Sequence, residues 1–238
     1  MKGLAVDLER MEYGAAWALQ QRVHDAVRDG MLPDTLLVVE HPAVYTIGRG
    51  AHGSRQNVLI GDAEREALGI ALYEVDRGGD VTYHGPGQQV GYPILHLDRH
   101  GDDLLVYLRN LEEVFIRVLG DCGLEAGRIP PHTGVWVGEE KVVAIGVKAS
   151  KRVTMHGFAL NVDPNLMHFA GIIPCGIHGL GVSSLSQLTG RHWTLSQVRE
   201  PILSRMTEVF GLQWEWVSPG DLLDTLEQVE AKTGSLHA

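Results

Sequence analysis

The sequence predicts an α/β (α+β) fold, in which a central mixed, largely antiparallel sheet is flanked by helices. Helical and strand-like segments are interspersed without a regular βαβ alternation, and several neighbouring strands are joined by turns too short for crossovers. Apolar residues make up 44% of the 238 residues, enough for one large core. Because no internal repeat or linker divides the chain, we expect one domain over residues 1–231, with 232–238 as a mobile tail.

The first third of the chain predicts strands joined to helices. Residues 4–8 alternate apolar and polar side chains, whereas 13–27 carry apolar residues at helical spacing up to a stop at Gly30. The further elements predicted here are a buried strand over 34–40, its continuation over 41–49 after the break at Pro42, a short helix over 62–68 capped by Asp62, and a strand over 70–75.

The rest of the chain is also predicted to form helices and strands. The clearest helix covers 102–119, where leucine, valine and phenylalanine form one apolar stripe. The other predicted elements are strands over 90–97, 154–162 and 212–217, a hairpin of 133–138 with 141–149, a helical turn over 165–170, and helices over 195–210 (capped by Thr194) and 219–231.

Composition excludes several classes of protein. A net charge of -10 argues against nucleic-acid binding, and no apolar run is long enough to span a membrane. The early charges of the N-terminal segment do not fit a secretory signal, and the 2 cysteines form no disulfide framework, so a cytoplasmic location is expected. No metal-binding or nucleotide-binding motif is found among the spacings, which predicts no metal and no cofactor.

Residues 77–88, with the sequence RGGDVTYHGPGQ, read as a polar, glycine-rich loop between two apolar strands. Five of its 12 residues are glycine or proline, more than a plain hairpin turn requires. Glycines let a ligand approach the main chain, and Arg77, Thr82, Tyr83 and His84 supply hydrogen-bond donors. The loop therefore predicts a substrate site, with a long turn as the simpler alternative.

Cys175 is the candidate nucleophile. It follows Pro174 and lies among glycines that keep other side chains away from its sulfur, although most free cysteines are merely small buried hydrophobes. The base that it requires could be His168, His178 or Lys141. Lys141 opens an apolar strand, where burial would lower its pKa, but a solvated hairpin lysine is the commoner case. Cys122, at the C-terminal end of a helix, is expected to be structural.

Five segments match a known family in order and spacing, namely 77–88, 133–137 (TGVWV), 141–146 (KVVAIG), 156–161 (HGFALN) and 174–176 (PCG). On these segments the chain resembles the octanoyltransferases of lipoate synthesis, within the biotin/lipoate protein ligase superfamily. The resemblance covers about residues 36–190. The spacing from Lys141 to Cys175 separates these transferases from the ligases that use ATP.

The resemblance implies an acyltransferase that carries octanoyl from octanoyl-acyl carrier protein to a lysine of lipoyl domains. The acceptors would be the E2 subunits of 2-oxoacid dehydrogenases and the H protein of glycine cleavage. Cys175 would form the acyl-enzyme thioester, and Lys141 would lower the pKa of the cysteine and relay protons. Both steps start from a thioester, so ATP is not required. Backbone N–H groups near Cys175 and Gly176 could stabilise the oxyanion.

The resemblance also implies an acyl pocket, whose residues are Arg77, Gly78, Gly79, Asp80, Val81, Thr82, Tyr83, His84, Ala144, Ile145, Gly146, Gly157, Phe158 and Ala159. Because carrier proteins and lipoyl domains are acidic like this chain, a local basic rim is expected for docking. Its candidates are Arg49, Arg55, Lys148, Lys151 and Arg152.

Three other functions stay open from the sequence. An ATP-dependent lipoate or biotin ligase would need no cysteine. A non-catalytic acyl-binding protein would form no covalent adduct. A cysteine hydrolase would use His168 or His178 as its base.

Overall fold

The structure, a computed structural model, describes residues 1–51, 55–174 and 179–234. Its strands are β1 (Lys2–Arg10), β2 (Thr35–Glu40), β3 (Val44–Ile47), β4 (Ala71–Glu74), β5 (Val81–His84), β6 (Gln88–Ile94), β7 (Ala126–Gly127), β8 (Val135–Val137), β9 (Glu140–Ser150), β10 (Val153–Asn161), β11 (Gly181–Val182) and β12 (Gln213–Val217). Its α-helices are α1 (Tyr13–Arg28), α2 (Asp62–Ala67), α3 (Leu104–Asp121), α4 (Leu185–Thr189), α5 (Leu195–Phe210) and α6 (Pro219–Gly234).

The large sheet has the order β12-β1-β2-β6-β10-β9-β8-β7, and β11 pairs with the start of β9. The pairs β12–β1, β1–β2 and β11–β9 are parallel, whereas the other neighbours are antiparallel. The mixed, largely antiparallel sheet that the sequence predicts is thereby confirmed.

The sheet divides the core into two layers because alternate residues of a strand face opposite sides. On β2, Leu36 and Val38 pack in a cluster with α3 and α5, while Leu37 and Val39 pack in a second cluster with α1 and α6. Both faces of the sheet are thus covered by helices.

A small second sheet has the order β4-β3-β5. The sequence predicts that residues 41–49 continue β2, but the chain turns at Pro42 and β3 pairs instead with β4 and β5. Proline lacks the N–H that a continued ladder requires, which favours this departure. Tyr45, Val81 and Tyr83 fill the core between this sheet and the segment before Pro174.

The glycine-rich segment is not a loop throughout. Its centre is β5, in which all four residues are buried and pair with β3. The sequence pattern does not predict this strand, since Val81-Thr-Tyr-His84 is short, partly polar and flanked on both sides by glycines.

The other predicted elements are confirmed, with adjusted ends. The N–H of Thr194 donates to Gln197 Oε1 (2.8 Å) at the start of α5, and Asp103 Oδ1 accepts from Leu105 N (2.6 Å) at the start of α3. Asp62 is the first residue of α2 rather than its cap, since Gly61 occupies the cap position. The last helix continues to Gly234, three residues into the expected tail. Among the described residues, no helix is long and apolar enough to cross a membrane.

Candidate active site

The three segments that the resemblance assigns to acyl binding meet at one cavity between the large and small sheets. Eleven of the fourteen expected residues line it, from the Arg77–His84 segment, β9 and β10. Four further residues that the sequence did not single out complete the wall, and these are Tyr13, Val90, Tyr92 and His156. The cavity is narrow, about 40 Å³, which is room for about three waters, so a longer ligand requires neighbouring groups to shift.

The three remaining residues of the expected pocket lie elsewhere. Val81 and Tyr83 alternate with Thr82 and His84 along β5, so their side chains point away from the cavity into the core of the small sheet. Asp80 instead fixes the local backbone, because its carboxylate accepts from Val81 N (2.7 Å) and from the Asn57 side-chain amide.

Arg77 anchors the glycine-rich segment. Its guanidinium is buried and donates to Thr46 O (2.7 Å), Thr46 Oγ1 (2.9 Å) and Gly78 O (2.9 Å). Since these bonds join the segment to β3, the side chain shapes the cavity wall in addition to lining it.

Two glycines of this segment serve the fold rather than a ligand. A Cβ on Gly85 would lie 1.8 Å from the Tyr83 hydroxyl, and one on Gly87 would lie 2.3 Å from Asp163 O. Gly87 also has a φ of +85°, which favours glycine. The expectation that these glycines leave room for substrate is therefore wrong for both, because the protein itself fills the space.

A chain of buried polar groups runs from the cavity toward β11. His84 Nδ1 lies 3.2 Å from Gln88 Oε1, Gln88 Nε2 donates to Asn161 Oδ1 (2.9 Å), and Asn161 Nδ2 donates to Ser183 O (3.0 Å). Burial lowers the pKa of His84 well below its ordinary value. The His84 ring is thus neutral, and its contact with Gln88 fixes its position on the cavity wall.

A β-bulge in β9 places Lys141. Val135 pairs with Val143 but Trp136 pairs with Lys141, so β9 has one extra residue, Val142, at this point. Val142 and Val143 consequently both pack in the cluster with α3 and α5. Lys141 then shares the opposite face of the sheet with the cavity residues further along the strand. Bulges commonly re-aim side chains in this way.

Lys141 is almost fully buried, at 6% exposure. Its Nζ lies 4.9 Å from the centroid of the Trp136 ring, at a distance typical of a cation–π contact. With Pro174 and Val182, these two side chains line a second, smaller cavity. The structure therefore rejects a solvated hairpin lysine.

Pro174 directly precedes Cys175 in the sequence. Cys175, Gly176 and His178 lie outside the described residues, so the nucleophile and the expected oxyanion donors stay predictions. His168 Nδ1 lies 2.8 Å from the Tyr83 hydroxyl. For Cys122, burial raises the pKa of the thiol, as suits a structural cysteine.

The sequence does not reveal a cluster of charged and polar side chains beside the cavity, which is joined by Asp76. His156 Nε2 lies 2.8 Å from Asp76 Oδ1, and Lys148 Nζ donates to Asp76 Oδ2 (2.5 Å). The hydrogen bond from His156 holds the pKa of Asp76 far below its ordinary value, with Lys148 adding to the effect. His156 opens the matched segment 156–161, Asp76 directly precedes segment 77–88 and Lys148 follows segment 141–146. Their contact, however, depends on the folded chain.

Carboxylates pair with much of the expected basic rim. Lys148 pairs with Asp76, Arg55 pairs with Glu74 (3.4 Å), and Arg152 pairs with Asp98 and Asp102. These pairs reduce the positive potential that was expected to attract acidic partners.

Comparison with known proteins identifies the family. Residues 12–207 match the lipoyl protein ligase A/B catalytic domain. The chain belongs to this family. It is 46% identical over 222 residues to the octanoyltransferase of Caldicellulosiruptor saccharolyticus, covering 92% of this chain and 94% of that relative. It is also 48% identical over 199 residues to the octanoyltransferase of Geobacter metallireducens, covering 84% and 89% of the two chains. The family member described here is accordingly an acyltransferase.

Solved structures agree on the fold of this family member. A lipoate-protein ligase A bound with ATP superposes with a TM-score of 0.75 at 18% identity, over 97% of this chain and 94% of that one. A putative lipoate protein ligase from Thermoplasma acidophilum superposes with a TM-score of 0.74 at 16% identity, over 98% of this chain and 95% of that one. At this identity, the likeness establishes a lipoate ligase-like architecture.

Proposed function

We propose that this acyltransferase moves an octanoyl group from octanoyl-acyl carrier protein to a lysine of lipoyl domains, in lipoate biosynthesis. The names of its relatives support octanoyl as the group transferred. The structural observation that carries the proposal is the bulge in β9, because it puts a buried lysine on the same face of the sheet as the narrow, largely apolar cavity.

The first step would exchange one thioester for another. The Cys175 thiolate attacks the octanoyl carbonyl, the bond from this carbonyl to the carrier's sulfur breaks, and the carrier leaves as a thiolate that takes up a proton from Lys141. A buried ammonium at Lys141 favours the thiolate by Coulomb attraction, which is stronger in a site of low dielectric than in water. The apolar wall binds the alkyl chain at ~0.8 kcal/mol per buried CH₂.

The second step would form the amide. The neutral amine of the target lysine attacks the acyl-enzyme, the C–N bond forms, and Cys175 leaves as a thiolate. The amine must lose a proton during this step, and Lys141 is the proton relay that we assign. Acceptors would be lipoyl domains of dehydrogenase E2 subunits and the glycine cleavage H protein. Cytoplasmic location remains a prediction.

Intact-mass analysis after incubation with octanoyl-acyl carrier protein tests the proposal. The chain should gain the mass of one octanoyl group, Cys175→Ala should gain none, and Lys141→Ala should gain it slowly. Cys122→Ala, which removes the other cysteine, should react like the unmodified chain.

The alternatives give other patterns. Transfer to a lipoyl domain that requires ATP and survives Cys175→Ala would indicate a ligase. Octanoyl binding with no adduct and no transfer would indicate an acyl-binding protein. Release of free octanoate in place of octanoyl-lysine would indicate a hydrolase. Any of the three would overturn the proposal.

A further inference from the structure

His156 occupies an unusual place on the cavity wall. Its backbone φ of +57° is uncommon for a residue with a side chain, although histidine tolerates it better than most. Strict alternation along β10 would put His156 on the face of Phe158 and Leu160, which pack toward α3 and α5. Instead its ring lies near Trp17 of α1, on the cavity side.

The surrounding structure holds His156 in this conformation from two directions. Its backbone N–H donates to Gln20 Oε1 of α1 (3.0 Å), and its ring Nε2 lies 2.8 Å from Asp76 Oδ1. Residues kept in sparsely populated backbone conformations cluster at functional sites. Together these contacts fix the imidazole against the cavity.

The contacts of Asp76 determine which ring nitrogen carries the proton. An ionised carboxylate only accepts hydrogen bonds, so His156 Nε2 must donate to it. Burial lowers the pKa of His156, and the neutral ring therefore keeps its single proton on Nε2. His156 Nδ1 then has a free lone pair. It is buried and has no hydrogen-bond partner in the described part of the chain.

The position of His156 relative to Lys141 shows which part of an acyl chain it would meet. His156 pairs with Val147, three residues beyond Ala144 on β9 and on the side away from Lys141. At about 3.4 Å per residue, this is ~10 Å past Ala144. If the acyl carbonyl reacts beside Ala144, the cavity residue of β9 that is nearest Lys141, His156 faces the distal half of the chain.

We propose that His156 Nδ1 is an acceptor site within the acyl cavity, which favours acyl chains carrying a hydroxyl group in their distal half. The inference rests on the proposed function and specifies the substrate class of the same site. A buried acceptor without a partner is costly, and a ligand hydroxyl that donates to it removes that cost. A ketone at the same carbon offers only lone pairs and gains nothing.

Matched substrates provide the first test. Acyl carrier protein is loaded with eight-carbon chains that carry either a hydroxyl or a ketone at carbon 5, 6 or 7, and kcat/KM is measured for transfer to a lipoyl domain. At the carbon that lies best for the contact, kcat/KM for the hydroxyl chain should exceed that for the matching ketone chain about tenfold, which is the effect of one neutral hydrogen bond. Ratios near one at all three carbons, with octanoyl transfer intact, would overturn the inference.

Asp76→Asn should convert His156 Nδ1 from a hydrogen-bond acceptor into a donor. Because Lys148 donates to one side of residue 76, the asparagine carbonyl would face Lys148 and its NH₂ would face His156 Nε2. The ring proton would then move to Nδ1, so the hydroxyl-to-ketone ratio should fall about tenfold or invert. Asp224→Asn, on the exposed face of α6, is the matched control and should keep the ratio of the unmodified chain.

Nitrogen-15 NMR of the histidine rings gives a readout independent of turnover. His156 should be protonated at Nε2 in the unmodified chain and at Nδ1 in Asp76→Asn. A proton on Nδ1 in the unmodified chain would overturn the inference. Loss of all octanoyl transfer by the unmodified chain would instead refute the proposed function, while the NMR result would still decide the state of His156.

Discussion

At the scale of single residues, Lys141 has the contacts expected of a buried cation. It is 6% exposed, and the Trp136 ring lies 4.9 Å from its Nζ. An indole face attracts a cation without accepting its proton. The Trp136 ring therefore helps to hold the lysine in place, as the proposed relay requires.

Lys141→Arg separates charge from proton transfer. Arginine keeps the positive charge and the aromatic contact, but it does not release its proton at accessible pH. We expect acyl-enzyme formation to be retained in part, while transfer to the lipoyl lysine falls about 100-fold, within the range of general acid–base catalysis. Single-turnover rates of the two steps provide the measurement.

Lys232→Arg, on an exposed helix position, is the control and should change neither rate. Equal decreases in the rates of both steps would show that the variant disturbs the packing of the site and not proton transfer in particular. Full transfer activity in the variant would show that a positive charge suffices and would refute the proton relay.

At the scale of elements, the bulge in β9 connects core packing with chemistry. It lets Val142 and Val143 enter the same core layer, and in doing so it turns Lys141 to the other face. Register slips by one residue move side chains across a sheet. The bulge thus lets two consecutive valines fill the core while Lys141 lies on the cavity face.

Deletion of Val142 tests this link. Without the extra residue, the pairs Val135–Val143 and Trp136–Lys141 become consecutive, so Lys141 stays on the cavity face and octanoyl transfer should be retained. Val142→Ala keeps the residue count and removes only buried methyl groups, at a cost of about 1–3 kcal/mol in the free energy of unfolding.

Both variants should be assayed at a temperature where circular dichroism shows them folded. Transfer should survive in both variants. Loss of transfer in a folded deletion variant alone would mean that the bulge itself is required, and not only the face of the sheet on which Lys141 lies.

The sequence predicted most elements, but it could not predict these irregularities. The apolar stripe of α3 and the hairpin of β8 and β9 follow from periodicity, which local patterns report well. The bulge at Val142 depends on the partner strand, and the left-handed backbone of His156 depends on Gln20 and Asp76. Such long-range contacts leave no periodic signal. The glycine-rich segment predicted a substrate site by its composition, whereas its meeting with β9 and β10 was expected only through the resemblance.

At the scale of the whole molecule, buried neutral histidines couple stability to pH. His41 Nδ1 donates to Met11 O and its Nε2 accepts from the Tyr92 hydroxyl, at 2.7 Å each. Burial lowers the pKa of His41 to about 4, and burial also lowers those of His84 and His156. The folded chain thus binds fewer protons than the unfolded chain between pH 6.5 and 4.

Stability should consequently fall as pH decreases through this window. The unfolded histidine takes up a proton near pH 6.5 while folded His41 resists until about pH 4, so His41 alone should account for roughly 3 kcal/mol of lost unfolding free energy. Asp76 acts in the same direction, but at lower pH, since its folded pKa lies far below that of a free carboxyl.

Urea unfolding at a series of pH values between 7 and 4.5 measures the effect. His41→Gln can still donate and accept hydrogen bonds but does not titrate. It should therefore reduce the pH dependence of the unfolding free energy by the contribution of one histidine. Unfolding free energy that stays constant across the window would contradict the buried, neutral state of His41.

The extra residue in β9 also limits how this family can change in length. Insertions and deletions between strands usually fall in turns such as the one at Gly138–Glu139, where they leave side-chain directions intact. Inside β9, loss of Val142 would only remove the bulge and leave Lys141 opposite Trp136, whereas loss of both Val142 and Val143 would turn the lysine toward α3 and α5. A homologue that lacks both residues could therefore keep the other motifs and still be inactive, and counting residues from Lys141 to Gly146 would reveal it.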